Sequence, residues 1–165
     1  MMKKIIALLL CLMMALSLTA CGGDTPDSPN TSTDAVAVDV EKLYNDCIAK
    51  MNEMVPLDAD MMLDFCGIQA GDCVKACVAI SADGLLTDEI WVIEVVNEEA
   101  AQRILDQADK RLKAKAEESI TYSPVQYAVV QKAQVLRTGN YIAMLVAPNV
   151  DELKTVVDTA FGNKS

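Results

Sequence analysis

The stretch Ile90-Trp91-Val92-Ile93 with Val95-Val96 is apolar on both sides of an extended chain. Ile90, Val92 and Val96 would face one way, and Trp91, Ile93 and Val95 the other. An amphipathic strand hides one face; a strand like this has to be covered on both. Tyr141 to Ala147 has the same character, with Ile142, Met144 and Val146 opposed to Tyr141, Ala143 and Leu145. Two such runs are the central pair of a sheet with material on each side.

The flanking segments supply the rest of the sheet. Cys73 to Ile80 alternates like an edge strand, and Asp83-Gly84 marks the turn that follows it. Ala133 to Arg137, the turn Thr138-Gly139-Asn140 and Tyr141 to Ala147 read as a hairpin. A helix is expected from Asp39 as N-cap, with Val40, Leu43, Tyr44, Cys47, Ile48 and Met51 on one stripe, and a short turn of helix over Asp60 to Phe65 before Gly67. Asn97 caps a long helix to about Glu118, whose stripe is Ala101, Ile104, Leu105, Ala108 and Leu112. Pro148-Asn149 opens the last one, with Val150, Leu153, Val156, Val157, Ala160 and Phe161. Ser123-Pro124 suits a helix start, with a strand over 124–132 as the competing reading. The order strand, Gly-containing turn, apolar strand, Asn, acidic pair, helix occurs twice. The predicted fold is therefore α+β: a four-stranded antiparallel sheet, order 1-2-4-3, from two ββα units, with helices packed on it and an additional N-terminal helix. The repeat places both long helices on one sheet face, which leaves the other partly open as a docking surface.

Ahead of this domain, Met1 to Lys4 is short and positive, and Ile5 to Leu18 is uncharged. Fourteen apolar residues are too few to cross a bilayer, which takes roughly 20, but they suit a signal-peptide core. The run ends in Leu18-Thr19-Ala20-Cys21, which resembles the bacterial lipobox, where the Cys thiol receives a diacylglyceryl group. The expected organisation is a lipoprotein signal peptide over 1–20, lipidated Cys21 and a flexible linker over 21–38, and one extracytoplasmic domain over 39–165. The linker, rich in Pro, Ser, Thr and Asp, would span roughly 23 Å as a random coil. The membrane partner is then the outer face of the cytoplasmic membrane, reached through the lipid.

Charge and composition exclude several functions. All 24 acidic residues follow Cys21, against twelve of the 14 basic ones, for a net −12 beyond residue 20. Nucleic acid would be repelled. No histidine is present, so the commonest general base and metal ligand are missing, and Ser–His or Cys–His nucleophile pairs cannot form within the chain. No cofactor motif, metal motif or catalytic residue stands out. Beyond Cys21, Cys47, Cys66, Cys73 and Cys77 read as small apolar fillers, with a disulfide from Cys66 to Cys73 or Cys77 as the alternative. Four residues apart in one strand, Cys73 and Cys77 would share a face about 13 Å apart, too far to bridge.

Tyr122-Ser123-Pro124, Asp88-Glu89-Ile90 after a turn, Gly139-Asn140-Tyr141 in a hairpin and the lipobox leader together resemble small bacterial lipoproteins of the domain-of-unknown-function family 4358, over roughly residues 40–161. Cys73 and Cys77 depart from that pattern. The resemblance implies no activity. The candidate binding residues are Asp88 and Glu89 at a turn, with Trp91, Tyr122 and Tyr141 as rings able to stack on a ligand. Asp83, Asp88 and Glu89 lack calcium-loop spacing and read as a solvated turn; Lys110, Arg111, Lys113 and Lys115 read as a solvated helix face. The expected function is a non-enzymatic module binding a protein or cell-envelope partner. The alternatives are a small-ligand receptor for sugar or peptide, and a carboxylate-based cell-envelope hydrolase.

Overall fold

The computed structural model describes residues 37–163, and the leader, Cys21 and most of the linker lie outside them. In chain order the elements are α1 (Val40–Ile48), β1 (Met54–Pro56), α2 (Ala59–Cys66), a 3-10 turn (Ala70–Asp72), β2 (Cys73–Ser81), β3 (Glu89–Val95), α3 (Glu98–Tyr122), α4 (Pro124–Gln131), β4 (Gln134–Thr138), β5 (Tyr141–Val146) and α5 (Val150–Ala160). The strands make one five-stranded sheet, β1-β2-β3-β5-β4, antiparallel at every pairing.

The α+β class and the order of the four expected strands hold, but the sheet has five strands. The additional one, β1, pairs Met54 with Ser81 and Pro56 with Ala79. Three residues ending in proline carry no alternation to read, and proline is tolerated there because β1 is an edge. Segment 124–131 is helix, not strand: the Ser123 hydroxyl accepts from Gln126 N at 3.3 Å, and Pro124 sits in the first turn. Asp39 and Asn97 cap α1 and α3 through Lys42 N and Ala100 N. The first helix stops at Ile48, short of Met51, and α3 runs past Glu118 to Tyr122.

The two long helices lie on opposite sheet faces, against the repeat symmetry. Trp91, Ile93, Val95, Ile142, Met144 and Val146 pack with Ala101, Ile104 and Ala108 of α3 and with Val129 and Val130 of α4. Ile90, Val92, Ala143 and Leu145 pack with Leu43 and Cys47 of α1 and with Leu153, Val157 and Phe161 of α5. Two residues separate β3 from α3, but three separate β5 from α5. The extra residue, buried Ala147, faces the second core. One residue of offset exchanges faces in a period of two.

Both residue sets of the central pair are buried except at their ends, where Val96 is exposed and Tyr141 half-buried, so no open sheet face remains and the expected docking surface does not exist. A β-bulge between Cys73 and Lys75 corrects a second expectation. It leaves Val74 62% exposed and turns Cys73 toward the α3 core while Cys77 packs on the α1–α5 side. The two thiols therefore point to opposite faces. All four described cysteines are free, with Cys47 and Cys66 buried and Cys73 and Cys77 half-buried.

Candidate functional site

The face of α3 that covers the sheet begins with Ala100, Ala101, Ile104 and Ala108 and continues at helical spacing to Arg111 and Lys115. These two cations converge on Glu89, the first residue of β3, which is 0% exposed. Arg111 donates to the Glu89 carboxylate through Nε, at 3.0 Å to Oε2, and its Nη2 lies 2.9 Å from the same oxygen. Lys115 Nζ lies 2.8 Å from Oε2. Trp91 Nε1 donates to Oε1 at 2.8 Å, and Cys66 Sγ approaches it at 3.7 Å. Burial alone would raise the Glu89 carboxyl, but Lys115 and the Arg111 hydrogen bonds outweigh it and hold the pKa below the ordinary range. Burial beside this carboxylate pushes the Cys66 thiol up to about 12.

Above this network a cleft of about 860 Å³ opens between the β2–β3 connection, the C-terminal half of α3 and the start of α4. Thr87 fixes the connection to both helices. Its N–H and hydroxyl donate to Gln126 Oε1 at 2.9 Å, and its carbonyl accepts from Lys115 Nζ at 3.0 Å. Asp83, Asp88 and Glu118 line the cleft, with Leu85 and Tyr122 at its lip, 83% and 87% exposed.

Asp88 is 1% exposed. Asn52 Nδ2 donates to its Oδ2 at 2.9 Å, while Oδ1 is the single buried side-chain oxygen or nitrogen without a partner among the described residues. Burial is the largest influence and raises its pKa, against the opposing pull of Asn52 and Lys115. A buried acceptor left unmatched is costly, which singles out Asp88 among the residues bordering the cleft.

Of the expected binding residues, Asp88 and Tyr122 share the cleft. Glu89 is sealed beneath it and Trp91 lies behind Glu89. The acidic turn is thus not a solvated tip: Asp88 and Glu89 are both buried. Tyr141 is elsewhere, paired with Glu94, five residues along β3 from Glu89 and roughly 17 Å away. Cys21 lies outside the described residues. Arg111 and Lys115 were expected on a solvated face; their spacing of seven and eleven residues from Ile104 is the signal that places them inward. Asn52, Leu85 and Gln126 carried no sequence signal. No group of three or more metal-ligating side chains is assembled among the described residues, and no helix there is long and apolar enough to cross a membrane.

Neither the curated proteins nor the solved structures contain a significant match. The family model described as "Domain of unknown function (DUF4358)" matches residues 47–147, a span that takes in the sheet from β1 to β5, Asn52, Asp88 and both cations of the buried network. The chain belongs to the DUF4358 family.

Proposed function

We propose that this chain is a lipid-anchored, extracytoplasmic, non-enzymatic binding module that takes its partner in the cleft beside Asp88 and not on a sheet face. The observation that carries the reading is Asp88 itself. Asp88, 1% exposed and with one carboxylate oxygen unpartnered, is among the residues bordering a cleft rimmed by exposed Leu85 and Tyr122. A cleft volume of about 860 Å³ falls within the range of small-ligand sites, which favours a receptor for a small molecule or a single inserted side chain over a broad protein interface. Hydrolysis by a carboxylate pair needs a second carboxyl free to act at the same point. Glu89, next in sequence, is held ionised by two cations and is sealed from the cleft, which leaves only Asp83 and Glu118, on separate elements of the lining, for that role. The anchor rests on Leu18-Thr19-Ala20-Cys21 and the polar linker behind it.

Site-specific photocrosslinking in intact cells tests the reading. A crosslinker at Leu85 or Tyr122 is expected to capture a ligand, and one at exposed Val74, on the β2 bulge, is not. Equal capture from Val74, or none from the cleft positions, would overturn it.

A further inference from the structure

The polar groups of the cleft form one connected chain. Gln126 Oε1 accepts from the N–H and hydroxyl of Thr87, the Thr87 carbonyl accepts from Lys115, and Lys115 and Arg111 share Glu89. Both ends of this chain are open. Arg111 meets Glu89 through Nε and Nη2, which leaves Nη1 without a partner among the described residues. The Thr87 N–H can only donate, so the Gln126 amide must turn its oxygen to it, and Nε2 is left without a partner there. Asp88 Oδ1 is the single buried unpartnered atom, so both of these nitrogens reach solvent. Arg111 and Gln126 line the cleft, and what they offer it is donors.

The charge of the network has the matching sign. Arg111 and Lys115 against Glu89 leave one net positive charge, on side chains 22%, 9% and 0% exposed. Asp83 and Glu118 also line the cleft, but both are exposed, and water and salt screen them more than the enclosed network. Asp88 marks the border but is enclosed and offers the cleft no atom. One positive charge suits a monoanion. A dianion such as a phosphate monoester would keep an uncompensated charge facing Asp83 and Glu118. The planar guanidinium is matched in shape to a carboxylate. Exposed Leu85 and Tyr122, with half-buried Ile80 and Leu86, give the same cleft apolar surface for the rest of a ligand. Arg111 also borders a hollow of about 220 Å³ beside Phe65, which is below the size of small-ligand sites.

We propose that the cleft takes a monocarboxylate with an apolar body. The carboxylate accepts from Arg111 Nη1, the body lies against Leu85 and Tyr122, and Gln126 Nε2 donates to a second acceptor where the ligand has one. The assignment rests on the cleft being the binding site. Free aryl and alkyl acids and the C-terminal carboxylates of peptides both carry this chemistry.

The test is calorimetric titration of the full-length protein in detergent micelles, with titration into micelles alone as the blank. The probes are hydrocinnamate and N-acetyl-alanyl-phenylalanine, beside hydrocinnamyl alcohol and the C-terminal amide of the same peptide. Saturable binding of at least one acid is expected, weakened by added salt and stronger than its neutral counterpart. Binding of hydrocinnamate alone identifies a free acid as the source, and stronger binding of the peptide acid identifies a chain end. Arg111→Lys keeps a cation for Glu89 and removes Nη1, and is expected to weaken acid binding by roughly tenfold or more. Neutral counterparts binding as well as the acids, or acid binding unchanged in Arg111→Lys, overturns the assignment. Tyr122→Ala and Phe65→Ala alter exposed side chains and cover the case in which Arg111→Lys does not fold. A several-fold loss is expected for Tyr122→Ala and none for Phe65→Ala; the reverse pattern, or no loss in either, overturns the placement. If no acid binds while Leu85 crosslinks persist, the carboxylate assignment falls and the cleft reading stands. If the crosslinks are absent and acids bind independently of Arg111 and Tyr122, both fall.

Discussion

Lys115 Nζ lies 2.8 Å from Oε2 of Glu89, a carboxylate with no exposed surface. Arg111 shares the same oxygen, so one buried anion holds two cations on successive turns of α3. Removing one member of such a set leaves the others desolvated without compensation, at a typical cost of about 3–5 kcal/mol. Glu89→Gln is therefore expected to lower the urea midpoint sharply, because it strands both cations at once. Lys115→Met is expected to cost less: it removes a buried charge and leaves Glu89 paired with Arg111. Equilibrium urea unfolding of the two single variants and the double variant measures the coupling. Equal costs for the two single changes would show that Arg111 does not hold Glu89 unaided.

The neighbouring carboxyls titrate with opposite sign. The Glu89 pKa is lowered below its ordinary 4.5, so its contribution to stability is fully present above 4.5 and is lost as pH falls through the lowered folded value. The Asp88 pKa is raised above its ordinary 3.8. Its contribution is present below 3.8 and is lost as pH rises through the raised value. The stability of Asp88→Asn relative to the unaltered protein should accordingly improve as pH rises from about 4 toward neutrality. Glu89→Gln should instead flatten the acid limb. Urea midpoints taken across the pH range for all three proteins check this, and an Asp88→Asn difference that does not change with pH would contradict the desolvation of Asp88.

Much of the fold was legible because its central strands are apolar on both faces, and Ile90 to Val95 has few other ways to be buried. Caps at Asp39, Asn97 and Ser123 were legible because each accepts locally from the backbone N–H three residues on. Features that depend on one residue of offset were not legible. The bulge at Val74 and the additional residue Ala147 each exchange sheet faces without any compositional mark, so the thiols and the long helices were assigned to the wrong sides. At the site, Asp88 and Tyr122 were legible as residue types, but their companions were not. Lys115 reads as surface when charge is weighed alone. Only its continuation of the Ile104–Ala108 stripe turns it inward, and its partner Glu89 is twenty-six residues away in sequence. Asn52 comes from a loop thirty-six residues before Asp88, a contact created wholly by the sheet.

All four described thiols are free, so reductant is expected to leave the melting temperature unchanged. A structural disulfide would instead cost about 2–5 kcal/mol on reduction. Burial raises the thiol of Cys47 to about 11, of Cys66 to about 12 and of Cys73 to about 11, and thiolate is the reactive form. At pH 8 Cys47 and Cys66, which are also buried, should alkylate slowest, with half-buried Cys77 ahead of them. Mass spectrometry of timed iodoacetamide labelling gives the order directly, and rapid modification of Cys66 would contradict its packing against Glu89.

The domain's core begins at Val38, which packs with Leu43, Phe161 and the central strands; the proposed lipid site at Cys21 lies seventeen positions earlier. Anchoring and folding should therefore separate cleanly. One acyl chain gives marginal membrane attachment and two give stable attachment, at about 0.8 kcal/mol per buried methylene. A diacylglyceryl group on Cys21 would accordingly hold the protein with no help from an acidic surface. Cys21→Ala is expected to abolish incorporation of labelled palmitate and to leave unprocessed precursor or shed protein. The urea midpoint of the domain should stay within error of the unaltered protein, because no described core contact involves the linker before Val38. Fractionation, palmitate labelling and urea unfolding of this one variant measure all three. Labelling that persists in Cys21→Ala would refute the lipobox assignment, while a lowered midpoint would show that the tether contributes to the fold.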